Sequence, residues 1–175
     1  MLGTFYETRQ SMANFIFPEA LERRKRLERE LDVDSLTGVA NVRALERALP
    51  SAEADESVAV IAFDCNNFGL LNKVRGHQIG DAMLVELATA LRTVALAYGA
   101  PCRVFRRGGD EFVMLVPTVL AEVVRGAVES LYGEYLFDGE DKGQIRVSVT
   151  GTIGQTFAEA DALLQNRKRA HKQVH

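Results

Sequence analysis

Arg103-Val-Phe-Arg-Arg-Gly-Gly-Asp-Glu-Phe-Val-Met-Leu-Val-Pro117 is the stretch that decides the fold, because two apolar runs flank a glycine pair followed at once by two acids. Gly108 and Gly109 supply the positive backbone dihedrals of a tight turn. Phe105, Phe112, Met114 and Val116 keep a period-two apolar pattern on the flanking strands. The stretch predicts a β-hairpin with carboxylates at its tip. Adjacent like charges repel unless they are screened, so Asp110 and Glu111 side by side call for solvent or a bound cation. Two carboxylates beside a bare backbone turn suggest divalent cations and phosphates. From these residues alone, an ordinary hairpin with an acidic turn competes with that reading.

Upstream, Val58-Ala-Val-Ile-Ala-Phe-Asp64 is a short continuous apolar run ending in one acid, the pattern of a buried central strand that delivers a carboxylate to the sheet edge. Asp64 is therefore the second anchor of a site. From Ile79 to Tyr98 an amphipathic helix is predicted, with Met83, Leu84, Leu87, Leu91, Val94 and Ala95 on its core stripe and Gly99 as a stop. Before the strand, Asn41 is placed to cap a helix that carries Ala44, Leu45, Ala48 and Leu49 and ends at Pro50.

Downstream of the hairpin, Thr118 is expected to cap a helix whose Val119, Val123, Ala127 and Leu131 face inward, ended by Gly133. Tyr135 to Gly143 is acidic and glycine-bearing, an exposed hairpin or loop, and Ile145 to Ile153 restores a strand pattern. Thr156-x-x-Glu159 is a capping box opening a final helix with Phe157, Ala160, Leu163 and Leu164 on one face. Lys168 and Lys172 lie four apart and share one side of it. A solvated basic face at a helix C-terminus is the alternative reading of that pair.

The N-terminal part is less informative. Residues 1–16 show no stable period, and Phe17 to Leu31 predicts a charged helix with Phe17, Ala20, Leu27 and Leu31 on heptad a and d positions, interrupted by Arg24. This helix is either a dimerising stalk or a solvated helix lying on the domain.

With 175 residues, 47% hydrophobic and 26% charged, the chain is sized for one domain that buries a real core. A net charge of −3 gives no global basic field for a long nucleic acid and favours small-molecule or protein partners. Cys65 and Cys102 form no spacing motif and fit a reduced, cytoplasmic compartment, and no signal peptide or span of membrane length is seen.

Arg106-Arg-Gly-Gly-Asp-Glu-Phe112 resembles the signature of GGDEF domains, the family of diguanylate cyclases. Further segments stand in that family's order, over roughly residues 20 to 172. Asp34-Ser-Leu-Thr-Gly-Val-Ala-Asn41 is similar to the family's Asp-x-Leu-Thr-Gly-Leu-x-Asn-Arg turn, which seats a stalk on the domain. From Phe63 to Asp81 the chain resembles Phe-Asp-x-Asp-x-Phe-Lys-x-Ile-Asn-Asp-x-x-Gly-His-x-x-Gly-Asp. Phe63, Asp64, Phe68, Asn72, Gly76, His77, Gly80 and Asp81 match in register. Asn66 stands for an acid, Gly69 for the lysine that reaches phosphate and Lys73 for a second acid. Near the C-terminus Ala160, Asp161, Leu164 and Lys168 match, with Lys172 replacing arginine.

The resemblance implies a palm-like α/β (α+β) domain: a mostly antiparallel, five-stranded central sheet flanked by helices over residues 33–175, after a lead-in and helical stalk over 1–32. It implies condensation of two GTP into cyclic di-GMP by a homodimer of half-sites with two magnesium or manganese ions per site, and no nucleic-acid or membrane partner. Asp64, Asp110 and Glu111 would be catalytic and, with the Cys65 carbonyl, would hold the metal. Phe68, Asn72, His77, Asp81, Gly108, Gly109, Lys168 and Lys172 would bind substrate, with His77 hydrogen-bonding locally beside the base. The family's inhibitory Arg-x-x-Asp would fall on Gly99 and Cys102 and is missing. The departures leave two other functions open: a catalytically weak module that binds GTP or cyclic di-GMP to regulate a partner, and a related cyclic-dinucleotide synthase.

Overall fold

The computed structural model describes residues 22–23, 26, 31–98, 102–132, 135–139 and 143–172, with backbone alone for 135–139, 143–144 and 170–172. Glu22, Arg23 and Arg26 are helical and Leu31 lies in a turn. Phe17, Ala20, Arg24 and Leu27, on which the heptad reading rests, fall outside the described residues, as does Gly99.

Residues Asp34–His175 form one unit. Its elements run α1 (Val42–Glu53), β1 (Val58–Asn66), α2 (Phe68–Arg75), α3 (His77–Ala97), β2 (Arg103–Gly108), β3 (Glu111–Pro117), a 3-10 turn (Thr118–Leu120), α4 (Ala121–Leu131), β4 (Tyr135–Gly139), β5 (Gly143–Gly154) and α5 (Phe157–Lys172). The strand order is β2-β3-β1-β5-β4, and every strand pair is antiparallel. This is the antiparallel sheet flanked by helices that the sequence implies.

Alternation along β1 and β3 sorts the core into two layers, as the period of a strand requires. Ile61, Phe63, Phe112 and Met114 face α3 and α4, while Val60, Ala62, Val113 and Leu115 face α1 and α5. Covered on both faces, β1 is buried from Ala59 to Cys65, which is why it reads as a continuous apolar run. The stripe assigned to α3 is buried throughout.

Four local expectations are corrected. α1 runs through Pro50 to Glu53, because the turn beyond it is anchored: Ala52 is buried and the Glu53 carboxylate accepts from the Phe157 amide at 2.8 Å. α3 begins at His77 rather than Ile79, which puts Asp81 in its second turn. Thr118 donates to the Glu56 carbonyl at 2.9 Å instead of capping α4, and the 3-10 turn shifts the helix phase. The inward face is therefore Ala121, Val124 and Val128, with Val119, Val123 and Leu131 exposed. On α5, Ala160 and Leu164 are buried but Leu163 is half-exposed. The caps at Asn41 and Thr156 form as read: Asn41 accepts from the Ala44 amide at 3.1 Å, and Thr156 and Glu159 accept from each other's amides at 3.2 and 3.3 Å.

Candidate active site

The hairpin closes on a two-residue turn, Gly109-Asp110, between the paired residues Gly108 and Glu111. Gly109 takes φ 54, a conformation costly for any residue with a Cβ. Because Phe63 lies opposite Phe112 in the antiparallel register, the next pair along the two strands is Asp64 and Glu111. Both leave the sheet on the α5 side, where Ala160, Leu164 and Lys168 follow one another at four-residue spacing.

Lys168 continues that buried stripe and ends it with a charge. Its Nζ lies 2.6 Å from Asp64 Oδ1 and 3.9 Å from Glu111 Oε1, so one ammonium sits between the two carboxylates. Arg107 Nη1 meets Glu111 Oε2 at 2.7 Å and Asp161 Oδ1 at 4.0 Å, with its guanidinium 5.2 Å above the Phe157 ring. Asp64 is only 4% exposed. Burial first, then repulsion from Asp110 and Glu111, pushes its carboxyl up to about 6, against the pull of Lys168. Burial also raises Asp110, opposed by bonds from its own and the Cys65 amide and by Lys168. For Lys168, burial favours the neutral amine, but Asp64 and the two hairpin acids outweigh it and hold the ammonium above its ordinary range.

These are hard oxygen donors with too little positive charge among them, the chemistry that suits magnesium or manganese, and the Lys168 ammonium occupies the place of a cation between two of them. Among the described residues no three such groups have closed on a single point. The Cys65 side chain is buried in the opposite layer, where burial drives its thiol far up and leaves it inert, so only its backbone could serve as a ligand.

A second locus lies where α2 meets α3 at Gly76, φ 84. Phe68 and Asn72 stand one turn apart on α2; His77 and Asp81, both exposed, stand one turn apart on α3. Gly80 is the contact between the helices: a Cβ there would come within 1.9 Å of Asn72 Oδ1 and 3.2 Å of Phe68 Cζ. That Asn72 oxygen is buried and has no hydrogen-bond partner among the described residues.

The diguanylate cyclase GGDEF domain family matches residues 31–174. This chain belongs to that family. It is 34% identical over 160 residues, 81% of the chain, to an uncharacterized signaling protein of Caulobacter vibrioides. It is 29% identical over 164 residues, 87% of the chain, to the response regulator PleD of the same species. It spans 19% and 36% of those two proteins. The solved coiled coil and GGDEF domain of DgcB from Caulobacter crescentus, in complex with c-di-GMP, superposes with a TM-score of 0.68 at 23% identity. That match covers 94% of this chain and 95% of that one.

In this GGDEF domain the hairpin acids, Asp64 and Lys168 converge, while Phe68, Asn72, His77 and Asp81 gather at the α2–α3 junction. Gly108 and Gly109 are exposed at the hairpin tip. Lys172 is in α5, with its side chain outside the described residues. Gly69 faces open space on α2: among the described residues nothing lies within 4 Å of where its Cβ would be. Asn66 donates to Ser148 Oγ at 2.9 Å and Thr150 Oγ1 at 2.8 Å, extending the polar face beyond Asp64 with a neutral group.

Sequence reasoning missed Arg106, Arg107 and Asp161 as parts of the site. The two arginines were visible in the signature, and Gly109 and Glu111 lie within the same hairpin, but Asp34, 72 residues away from Arg106, and Asp161 on α5 are brought to them only by the fold. Among the described residues no helix is long and apolar enough to cross a membrane.

Proposed function

We propose that this GGDEF domain, residues 33–175 behind a stalk over 1–32, is a diguanylate cyclase that joins two GTP into cyclic di-GMP. Each 3′-oxygen attacks the α-phosphorus of the other GTP, the bond to pyrophosphate breaks, and one proton per bond passes to solvent. Two pyrophosphates leave. The observation that carries this reading is the charge imbalance around Asp64, where three carboxylates share Lys168 and a partly engaged Arg107.

Asp64, Asp110, Glu111 and the Cys65 carbonyl are the groups that would hold two magnesium or manganese ions, whose chemistry is charge neutralisation at a transferring phosphoryl group. Lys168 and Lys172 would meet the terminal phosphates as point charges, and the bare Gly108-Gly109 backbone admits phosphate at close range. Asn72 and Asp81 would accept from the N1 and N2 donors of guanine, with Phe68 and His77 beside the base. Adenine presents an acceptor at N1, so the buried Asn72 oxygen would stay unpaired, at a cost of ~1–3 kcal/mol. With one guanine locus and one reactive cluster per copy, a symmetric condensation needs two copies face to face.

Purified protein incubated with GTP, ATP or both in magnesium, with products read by mass spectrometry, tests this reading. Cyclic di-GMP from GTP alone is the expected product. GTP bound but unconverted would instead identify a regulatory nucleotide-binding module, and a mixed or linear product a related synthase.

A further inference from the structure

The hairpin tip beside the acids is a two-residue turn whose first residue is glycine at φ 54, with Gly108 and Gly109 exposed and no side chain of their own to anchor them. The Cys65 amide bonds Asp110 and Arg107 meets Glu111 at 2.7 Å, but the turn's own main chain is held by the Arg106 side chain. Arg106 donates from Nε at 3.0 Å and from Nη2 at 2.8 Å to the same carbonyl, so two arms of a planar fork close on one atom of the turn, Gly109 O. The third arm, Nη1, reaches Asp34 Oδ1 at 3.0 Å.

What lies behind Arg106 is rigid. Asp34 Oδ1 also accepts from the Thr37 amide at 2.9 Å and its hydroxyl at 2.6 Å, and the Asp34 amide and carbonyl bond to Val39 and Gly38 at 2.8 and 2.9 Å. This closed turn is clipped to β2 on both sides of Phe105: Arg106 N donates to Ala40 O at 2.8 Å, and Ala40 N to Val104 O at 3.3 Å. The Arg106 side chain is 13% exposed and its bond to Asp34 is partly buried, while its bonds to Gly109 lie at the surface.

We propose that Arg106 is a positioning residue: it fixes the tip of the β2–β3 hairpin, and so the aim of Asp110 and Glu111, against the Asp34–Ala40 turn. The turn is thereby a control point, because a displacement of Asp34 is passed through one guanidinium to the Gly109 carbonyl. The functional consequence rests on the hairpin acids being the reacting groups; the mechanical claim does not.

Backbone 15N relaxation on the 175-residue chain without nucleotide tests it. In the unaltered protein Gly109 and Asp110 should show order parameters of about 0.85, the rigid-backbone value. In Arg106→Gln they should fall below about 0.6, and in Asp34→Ala to a value between, with Val60–Phe63 of β1 unchanged in each. Arg106→Lys keeps charge and stem but loses the fork, and serves if Arg106→Gln does not fold; it too should lose tip order. Undiminished order at Gly109 and Asp110 in the folded arginine variant, or a loss spread equally over β1, would overturn the proposal. With GTP turnover as a second readout, Arg106→Lys should lower kcat about 10-fold with KM nearly unchanged, the signature of misplaced reacting groups. A KM effect alone would count against positioning. An unaltered protein that makes no dinucleotide would remove the proposed reaction and leave the relaxation result to decide the mechanics.

Discussion

Two charged clusters sit at the margins of the sheet, and they differ in balance rather than in size. At the free edge of β5, beyond its pairing with β4, Glu129 accepts from the Gly151 amide at 2.8 Å, Arg167 donates to the Gly151 carbonyl at 3.0 Å, and Arg125 bridges Glu129 and Glu122. Two acids face two arginines and the exposed backbone groups of an edge strand are satisfied, which is how a sheet edge is kept from pairing with another chain. At the hairpin, Asp64, Asp110, Glu111 and Asp161 face Lys168 and Arg107, and Asp64 is held near 6 by burial. The first cluster completes the fold. The second is left short of positive charge, a state that costs stability and suits the cation and polyanionic substrate proposed for it.

The largest expected contrast is in turnover. Asp64→Asn or Glu111→Gln should lower dinucleotide synthesis ~10²-fold or more, the usual loss when electrostatic stabilisation of a transition state is removed, whereas Glu129→Ala should stay within about 3-fold of the unaltered protein; equal losses in steady-state assays would erase the distinction.

Stability should move the other way. Asp64 titrates near 6 in the fold against 3.8 when free, so the folded chain holds a proton between those values that the unfolded chain has lost. That contribution is full below about 4 and is lost as pH rises through 6. With a chelator present, Asp64→Asn should therefore be more stable than the unaltered protein at pH 8, by up to about 3 kcal/mol. The gain should vanish at pH 4. Chemical denaturation at the two pH values checks this, and a gain independent of pH would contradict it.

Glu129→Ala should cost ~1–3 kcal/mol by stranding the Gly151 amide, seen as a lowered denaturation midpoint; a neutral effect would mean that water replaces the carboxylate. Gly80→Ala sharpens the second locus: the new methyl must displace the Asn72 carboxamide, so GTP affinity by calorimetry should fall about 10-fold, the order of one lost hydrogen bond. The fold should keep its stability, because alanine is worth up to about 1 kcal/mol over glycine inside a helix.

The elements were legible wherever one face decides them: β1, the α3 stripe, the hairpin, and the caps at Asn41 and Thr156 follow from period and local hydrogen-bonding chemistry. Phase errors arose where tertiary contacts intervened. The 3-10 turn after Pro117 rotated α4 so that Val124 and Val128, not Val123 and Leu131, face the core, and Glu53 extended α1 past Pro50 by reaching Phe157. In the site, Asp64 and the hairpin acids could be read because they stand at ends of apolar runs. Lys168 could be placed only through the family register, and the grip of Arg106 on Asp34 and Gly109 needed the fold itself.

Magnesium titrated against thermal stability in nucleotide-free protein tests the charge imbalance most directly, because binding to the folded state alone raises Tm by mass action. The unaltered protein and Glu129→Ala should each gain Tm with rising magnesium, and Asp64→Asn should gain none. If Asp64→Asn responds to magnesium as the unaltered protein does, the cluster at the hairpin is not what the cation binds, and the reading of its missing charge is wrong.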